Sequence, residues 1–201
     1  MKRPSQTSYV ILGFLSTEPS LSGYDIRKAV QESVGHFWSE SYGQIYPSLK
    51  RLVAEGFIVP SRPASTGKRK RQEYSITETG RASLRRWLAL PFQHDPPRNE
   101  FLLKLFLGSE AAPGVVAGHI HQIQESSQHL LATLVEIDAF VQNHPSQNPH
   151  QPYQMLTLKA GIALACTTLD WCESAFATLA TANAGAALPQ QPIDKHDRNR
   201  A

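Results

Sequence analysis

Residues 5–17 hold Tyr9, Val10, Ile11, Leu12, Phe14 and Leu15 with little polar interruption. Wound at 3.6 residues per turn, these positions cover most of the circumference, so the segment predicts a first helix buried on several sides. After the break Glu18-Pro19-Ser20, Ser22 occupies an N-cap position for a second helix to about Val34, closed by Gly35. Its core candidates are Tyr24, Ile26, Ala29 and Val30, with Arg27, Lys28 and Glu32 facing outward. Ser39 or Ser41 opens a third helix, apolar at Ile45, Leu49, Leu52 and Val53 and ending at Gly56. Pro47 lies inside it and removes an amide donor, which predicts either a kink or a restart.

Two extended runs follow, residues 57–62 and 72–76, separated by Pro63-Ala64-Ser65-Thr66-Gly67 and the basic run Lys68-Arg69-Lys70-Arg71. They predict a hairpin with a basic tip. Thr77 precedes a helix from Glu78 to Leu90, with Leu84, Trp87 and Leu88 on its inner side and Pro91 as its stop. The polar, proline-bearing stretch 92–98 is the predicted boundary between two domains, 1–91 and 92–182.

Beyond a short helix from Asn99 to Leu107, the positions Val116, Ile120, Ile123, Ser127, Leu130, Leu134, Ile137 and Val141 recur in alternating steps of four and three. The same alternation returns at Leu158, Ile162, Ala165, Leu169, Cys172, Phe176 and Leu179, after a proline- and asparagine-rich loop at 143–152. Two long seamed helices joined by so short a loop are predicted to fold back antiparallel. The tail 183–201 has nothing to pack and is expected to be disordered.

Charge sharpens this division. The net charge of +3 over 201 residues conceals fourteen Lys+Arg against seven Asp+Glu in residues 1–91, and six against ten thereafter. A basic first half joined to an acidic second half suits a polyanion-binding module attached to something with another task. No apolar stretch is long enough for a membrane span and no signal-peptide pattern opens the chain, so a cytoplasmic protein with no membrane partner is expected. Cys166 and Cys172, six apart on one predicted helix, cannot bridge and are expected to be core thiols. No phosphate loop, nucleophile elbow or metal motif is present, and His119 and His121 face different ways on a helix; neither catalysis nor a cofactor is expected.

Three helices, a basic hairpin and a fourth helix, in that order, make a winged helix-turn-helix: mainly α, with a three-helix core and a two-stranded wing, followed by an antiparallel helical domain. In such a domain the third helix enters the major groove, about 12 Å wide, while the wing reaches the backbone. Ser41, Tyr42, Gln44, Tyr46, Ser48, Lys50 and Arg51 are the expected DNA-facing residues of that helix. Gln44 is the base reader, because its amide matches the N7 and N6 edge of adenine. Lys68, Arg69, Lys70 and Arg71 are the expected phosphate contacts. An over-apolar first helix and two seams also leave more greasy surface than one protomer easily covers, which predicts a homodimer. Leu12, Phe14, Leu158, Ile162, Leu169, Cys172 and Phe176 are its expected contacts. Phe101, Phe106, Phe140, Trp171 and Phe176 form a candidate pocket for a small aromatic ligand, set against their reading as ordinary core. A winged helix that binds protein instead of double-stranded DNA is the competing reading.

Five blocks carry a family resemblance: residues 11–15 (Ile-Leu-Gly-Phe-Leu), 22–26 (Ser-Gly-Tyr-Asp-Ile), Phe37-Trp38, the run from Ser41 to Leu52, and Glu55-Gly56-Phe57-Ile58 with Tyr74-Ser75-Ile76-Thr77-Glu78-Thr79-Gly80. Over residues 8–90 the chain closely resembles the PadR family of bacterial regulators, and its second part is similar in length to that of the longer subfamily. The resemblance implies a homodimer on a pseudo-palindromic operator, usually a repressor, joined through the C-terminal helices and the first helix. It also implies that a proline at position 47 is tolerated in the recognition helix. The wing departs from the family pattern in being more basic.

Overall fold

The computed structural model describes residues 5–38, 42–61, 71–92, 98–144 and 148–186. Ser41, Lys68, Arg69 and Lys70 lie outside these, as does the tail from residue 187 onward. The chain divides into two compact units, Met1–Pro96 and Pro97–Ala201.

In the first unit, α1 (Gln6–Thr17) is the central helix. Ile11, Leu12 and Leu15 have no exposed surface, because α2 (Gly23–Ser33), α3 (Ile45–Ala54) and α4 (Glu78–Leu88) pack around it. Tyr9 stacks on Trp87 of α4 with ring centroids 4.7 Å apart, closing the core on that side. An apolar circumference therefore meets protein on several sides, as its pattern predicts.

Local signals set the helix ends. Ser22 forms a capping box with Asp25, accepting from the Asp25 N–H while the Asp25 carboxylate accepts from the Ser22 N–H at 3.0 Å. Thr77 caps α4 by accepting from the Gly80 N–H at 3.1 Å. Each such cap is worth about 1 kcal/mol. Gly56 adopts the left-handed region, φ 73°, just past α3, and the Phe57 N–H returns to the Leu52 carbonyl at 2.9 Å.

The wing strands are shorter than predicted: β2 is Ile58–Ser61 and β3 is Glu73–Ile76, antiparallel with Ile58 opposite Ile76 and Ser61 opposite Glu73. The sheet has a third member that hydrophobic alternation did not show. Leu21–Ser22, labelled β1, pairs with Tyr74 and Glu73 on the other side of β3, so the order is β1-β3-β2. Two residues are too few to display a period of two.

In the second unit, α5 (Glu100–Phe106), capped by Asn99, leads to α6 (Val115–Asn143) and α7 (Gln151–Ala186). Ile120, Leu134, Leu158, Ala165 and Cys172 are buried where the two seams face each other. The Cys172 thiol lies 4.0 Å from the Ile120 carbonyl oxygen, and Lys159 reaches Asp138 at 2.7 Å, which fixes the antiparallel register at two levels. Burial raises the Cys172 thiol pKa above its ordinary value. Cys166, expected in the core, is exposed. The helix continues through residues 183–186, expected to be unstructured; the Ala-rich composition there favours helix.

Gly80 marks the tightest approach in the first unit. A Cβ at this position would collide with the Phe57 carbonyl oxygen and lie 2.9 Å from Ile76 Cγ1. Although alanine gains roughly 1 kcal/mol of helix propensity over glycine, backbone offers no room to yield. Gly80→Ala is expected to lower the unfolding free energy by about 1–3 kcal/mol; a urea midpoint equal to that of the parent would contradict the close approach.

Candidate nucleic-acid interface

A single 3-10 turn, Tyr42–Gln44, precedes α3, which begins at Ile45. Pro47 is thus the third residue of the helix, where an N–H has no intrahelical acceptor to lose, and the helix restarts rather than kinks. Ile45, Leu49 and Leu52 are buried against the core, so the opposite face is turned to solvent. Gln44 stands at the N-cap without a side-chain cap bond and is exposed. Tyr46, 58% exposed, and Lys50 lie on that outer face.

Two residues expected there are elsewhere. Ser48 is 4% exposed, carried inward with Leu49 and Leu52 by its place on the helix wheel. The Arg51 guanidinium donates to the Oγ atoms of Ser5 and Ser8, at 2.8 and 2.6 Å, and ties α3 to the start of α1. Its Nη2 is engaged in holding the fold, while the residue as a whole stays exposed. Tyr46 leans on the start of α2: a Cβ on Gly23 would come within 2.9 Å of its ring, so the bare glycine lets α3 sit close.

Arg71, the one described member of the basic run, is exposed at the foot of β3. Its guanidinium carbon lies 3.9 Å over the centre of the Tyr24 ring. Tyr24, expected in the core, is 45% exposed, a position its spacing did not reveal. Leu88, also expected inside, is 67% exposed at the last residue of α4.

Burial corrects the predicted dimer contacts in both units. Leu12, Leu158 and Cys172 are interior to their own protomer, at 0%, 7% and 0% exposure, and present no surface to a partner. Ile162, Leu169 and Phe176 are half-buried in the α6/α7 seam, and Phe14 is half-buried on α1. The two seams satisfy each other, so greasy seams by themselves did not demand a second chain. What the seam analysis missed is a second apolar stripe on α7: Tyr153, Leu156 and Leu164, 71%, 68% and 68% exposed. At 100° per residue it lies about 80–180° around the helix from Leu158, Ala165 and Cys172, and steps of three, four and four from position 153 through Ala160 would have found it.

Of the candidate aromatic pocket, Phe101 meets Trp171 edge-on at 5.7 Å, and Phe176 lies 4.6 Å from the His121 ring. Phe140 does not join them. It stacks on His144 at the far end of α6, about 30 Å from His121 along the axis at 1.5 Å per residue. Phe106 is 86% exposed.

An exposed polar face on a helix held beside a strand pair with a basic foot defines a winged-helix DNA-binding domain. Residues 11–86 match the transcriptional regulator PadR-like family, and residues 97–180 match the family described as virulence activator alpha C-term. The first unit therefore carries a PadR-like transcriptional regulator domain. Over 179 residues it is 29% identical to the negative transcriptional regulator PadR of Bacillus subtilis (strain 168), covering 85% of this chain and 96% of that protein. It is similar to the crystal structure of B. subtilis PadR in complex with operator DNA, with a TM-score of 0.75 and 28% identity over 88% of this chain and 99% of that one. The crystal structure of B. subtilis PadR in complex with p-coumaric acid matches with a TM-score of 0.65 and 27% identity, over 85% of this chain and 96% of that one. Among the described residues, no helix is long and apolar enough to cross a membrane.

Proposed function

We propose that this PadR-type regulator is a cytoplasmic repressor that binds a pseudo-palindromic operator as a homodimer, reading bases with α3 and gripping phosphates with the wing. The observation that carries this reading is the outer face of α3, where Gln44, Tyr46 and Lys50 are exposed while the opposite face is locked into the core. The similarity to a regulator solved on operator DNA supports it. Gln44 remains the base reader: its amide is engaged in no cap, and it sits at the helix start, the end that approaches base edges in this class of domain.

The dimer is placed on the outer stripe of α7. A helix that is apolar on two faces needs cover on both, and α6 covers one. A small aromatic effector acting on the second unit completes the proposal, supported by the regulator solved with p-coumaric acid and by the edge-on pair of Phe101 and Trp171 in that unit. Differential affinity of the effector for two dimer arrangements would shift the DNA-bound population.

Three measurements check these assignments. In fluorescence anisotropy on operator and random duplexes, Gln44→Ala should cost about 1–3 kcal/mol of preference for the operator. Neutralising Lys68, Arg69 and Lys70 should instead weaken both duplexes alike and flatten the salt dependence by about 0.9 for each phosphate that the wing no longer neutralises. Variants indistinguishable from the parent would remove α3 and the wing from the interface. Leu164→Asp should halve the mass seen by light scattering with helicity retained, and a persistent dimer would rule out the α7 stripe. Operator affinity across a panel of phenolic acids should fall for at least one of them, and indifference to all would dismiss the effector.

A further inference from the structure

Tyr24 is a bulky aromatic residue that the fold leaves half in solvent, directly under the first cation of β3's approach. We propose that Tyr24 and Arg71 together form a phosphate-binding element at the junction of α2 and the wing: the ring positions the guanidinium, and the guanidinium contacts the duplex backbone. The inference rests on the DNA-binding reading above and adds to it a positioning residue from outside α3 and the wing.

Geometry supplies the first argument. With its carbon 3.9 Å above the ring centroid, the guanidinium is held through its flat face by the negative face of the ring. Its N–H donors lie in its own plane, so a contact through the face leaves the edges free for the forked bonds that a phosphate accepts.

Charge supplies the second. Among the described residues, Arg71 makes no salt bridge. The carboxylate of Glu73, two residues along the strand, accepts from Ser20 Oγ at 2.5 Å. The cation is therefore held in place without a described anion to neutralise it, an arrangement suited to an anion arriving from outside.

Rigidity supplies the third. Tyr24 is the second residue of α2, whose start is pinned by the Ser22–Asp25 capping box and by the pairing of β1 with β3. The neighbouring Gly23 receives Tyr46 from α3. One short segment, 21–24, thus touches the recognition helix and the wing together. A ring fixed there restricts a long side chain before the duplex arrives, which reduces the ordering cost of binding.

The full-length protein, titrated with a fluorescent duplex over a range of NaCl concentrations, tests this. Arg71→Gln should weaken binding and flatten the salt slope by about 0.9 per protomer. Tyr24→Leu, which keeps apolar volume but removes the ring face, should weaken binding about two- to fivefold per wing. Tyr24→Phe, which keeps the face, should restore nearly all of that loss. Tyr24→Leu combined with Arg71→Gln should bind no more weakly than Arg71→Gln alone, because a positioning residue has nothing left to position. Parental affinity in Tyr24→Leu, additive losses in the double variant, or failure of Tyr24→Phe to rescue would each overturn the element while leaving DNA binding intact. A parent protein indifferent to duplex DNA at low salt would overturn the DNA-binding reading, and this element with it.

Discussion

Burial of α1 is the constraint from which the rest of the first unit follows. Ile11, Leu12 and Leu15 point in different directions around one helix, and each must be taken out of water. Satisfying them brings α2, α3 and α4 against the same rod. Once α3 presents Ile45, Leu49 and Leu52 to that rod, its remaining face has no choice but to look outward. The exposed arc of Gln44, Tyr46 and Lys50 is therefore a by-product of packing, and any function it has was built on a surface the core had already defined.

The same coupling explains why neighbouring residues of α3 divide so sharply between buried or bonded positions and solvent. Arg51 and Lys50 are neighbours in sequence and alike in charge, yet they point about 100° apart around the helix. Arg51 is drawn down to the hydroxyls that open α1, whereas Lys50 remains in solvent. Ser48 and Tyr46 separate in the same manner, one sealed in the core and the other resting on Gly23. The exposed face of α3 is thus bordered by residues that hold the helix against the core.

In the second unit a different balance holds. The α6/α7 hairpin buries its seams internally and clamps its register with the Lys159–Asp138 pair, so it has the interior of a helical hairpin without calling on another chain. Such a two-helix layer is thin, and both of its broad faces remain near solvent. The exposed Tyr153, Leu156 and Leu164 belong to one of those faces. Apolar cover for a thin layer comes most simply from symmetry, since a single stripe then protects itself.

What the sequence determined by itself is everything that depends on neighbours a few residues apart. The helices and several of their ends were legible because Ser22, Thr77, Asn99 and Gly56 act on amides and carbonyls within one turn, and because apolar spacing directs side chains relative to their own axis; α3, expected to open at Ser39 or Ser41, begins only at Ile45. The four-three alternation identified both long helices of the second unit and their inner faces. Tertiary structure decided what those faces meet. That the two seams pair with each other, that Arg51 bonds to residues more than forty positions away, that Leu21 and Ser22 become a third strand, and that Tyr24 lies under Arg71 all depend on contacts between distant segments. Local periodicity says which way a side chain points; only the packed chain supplies the group waiting there.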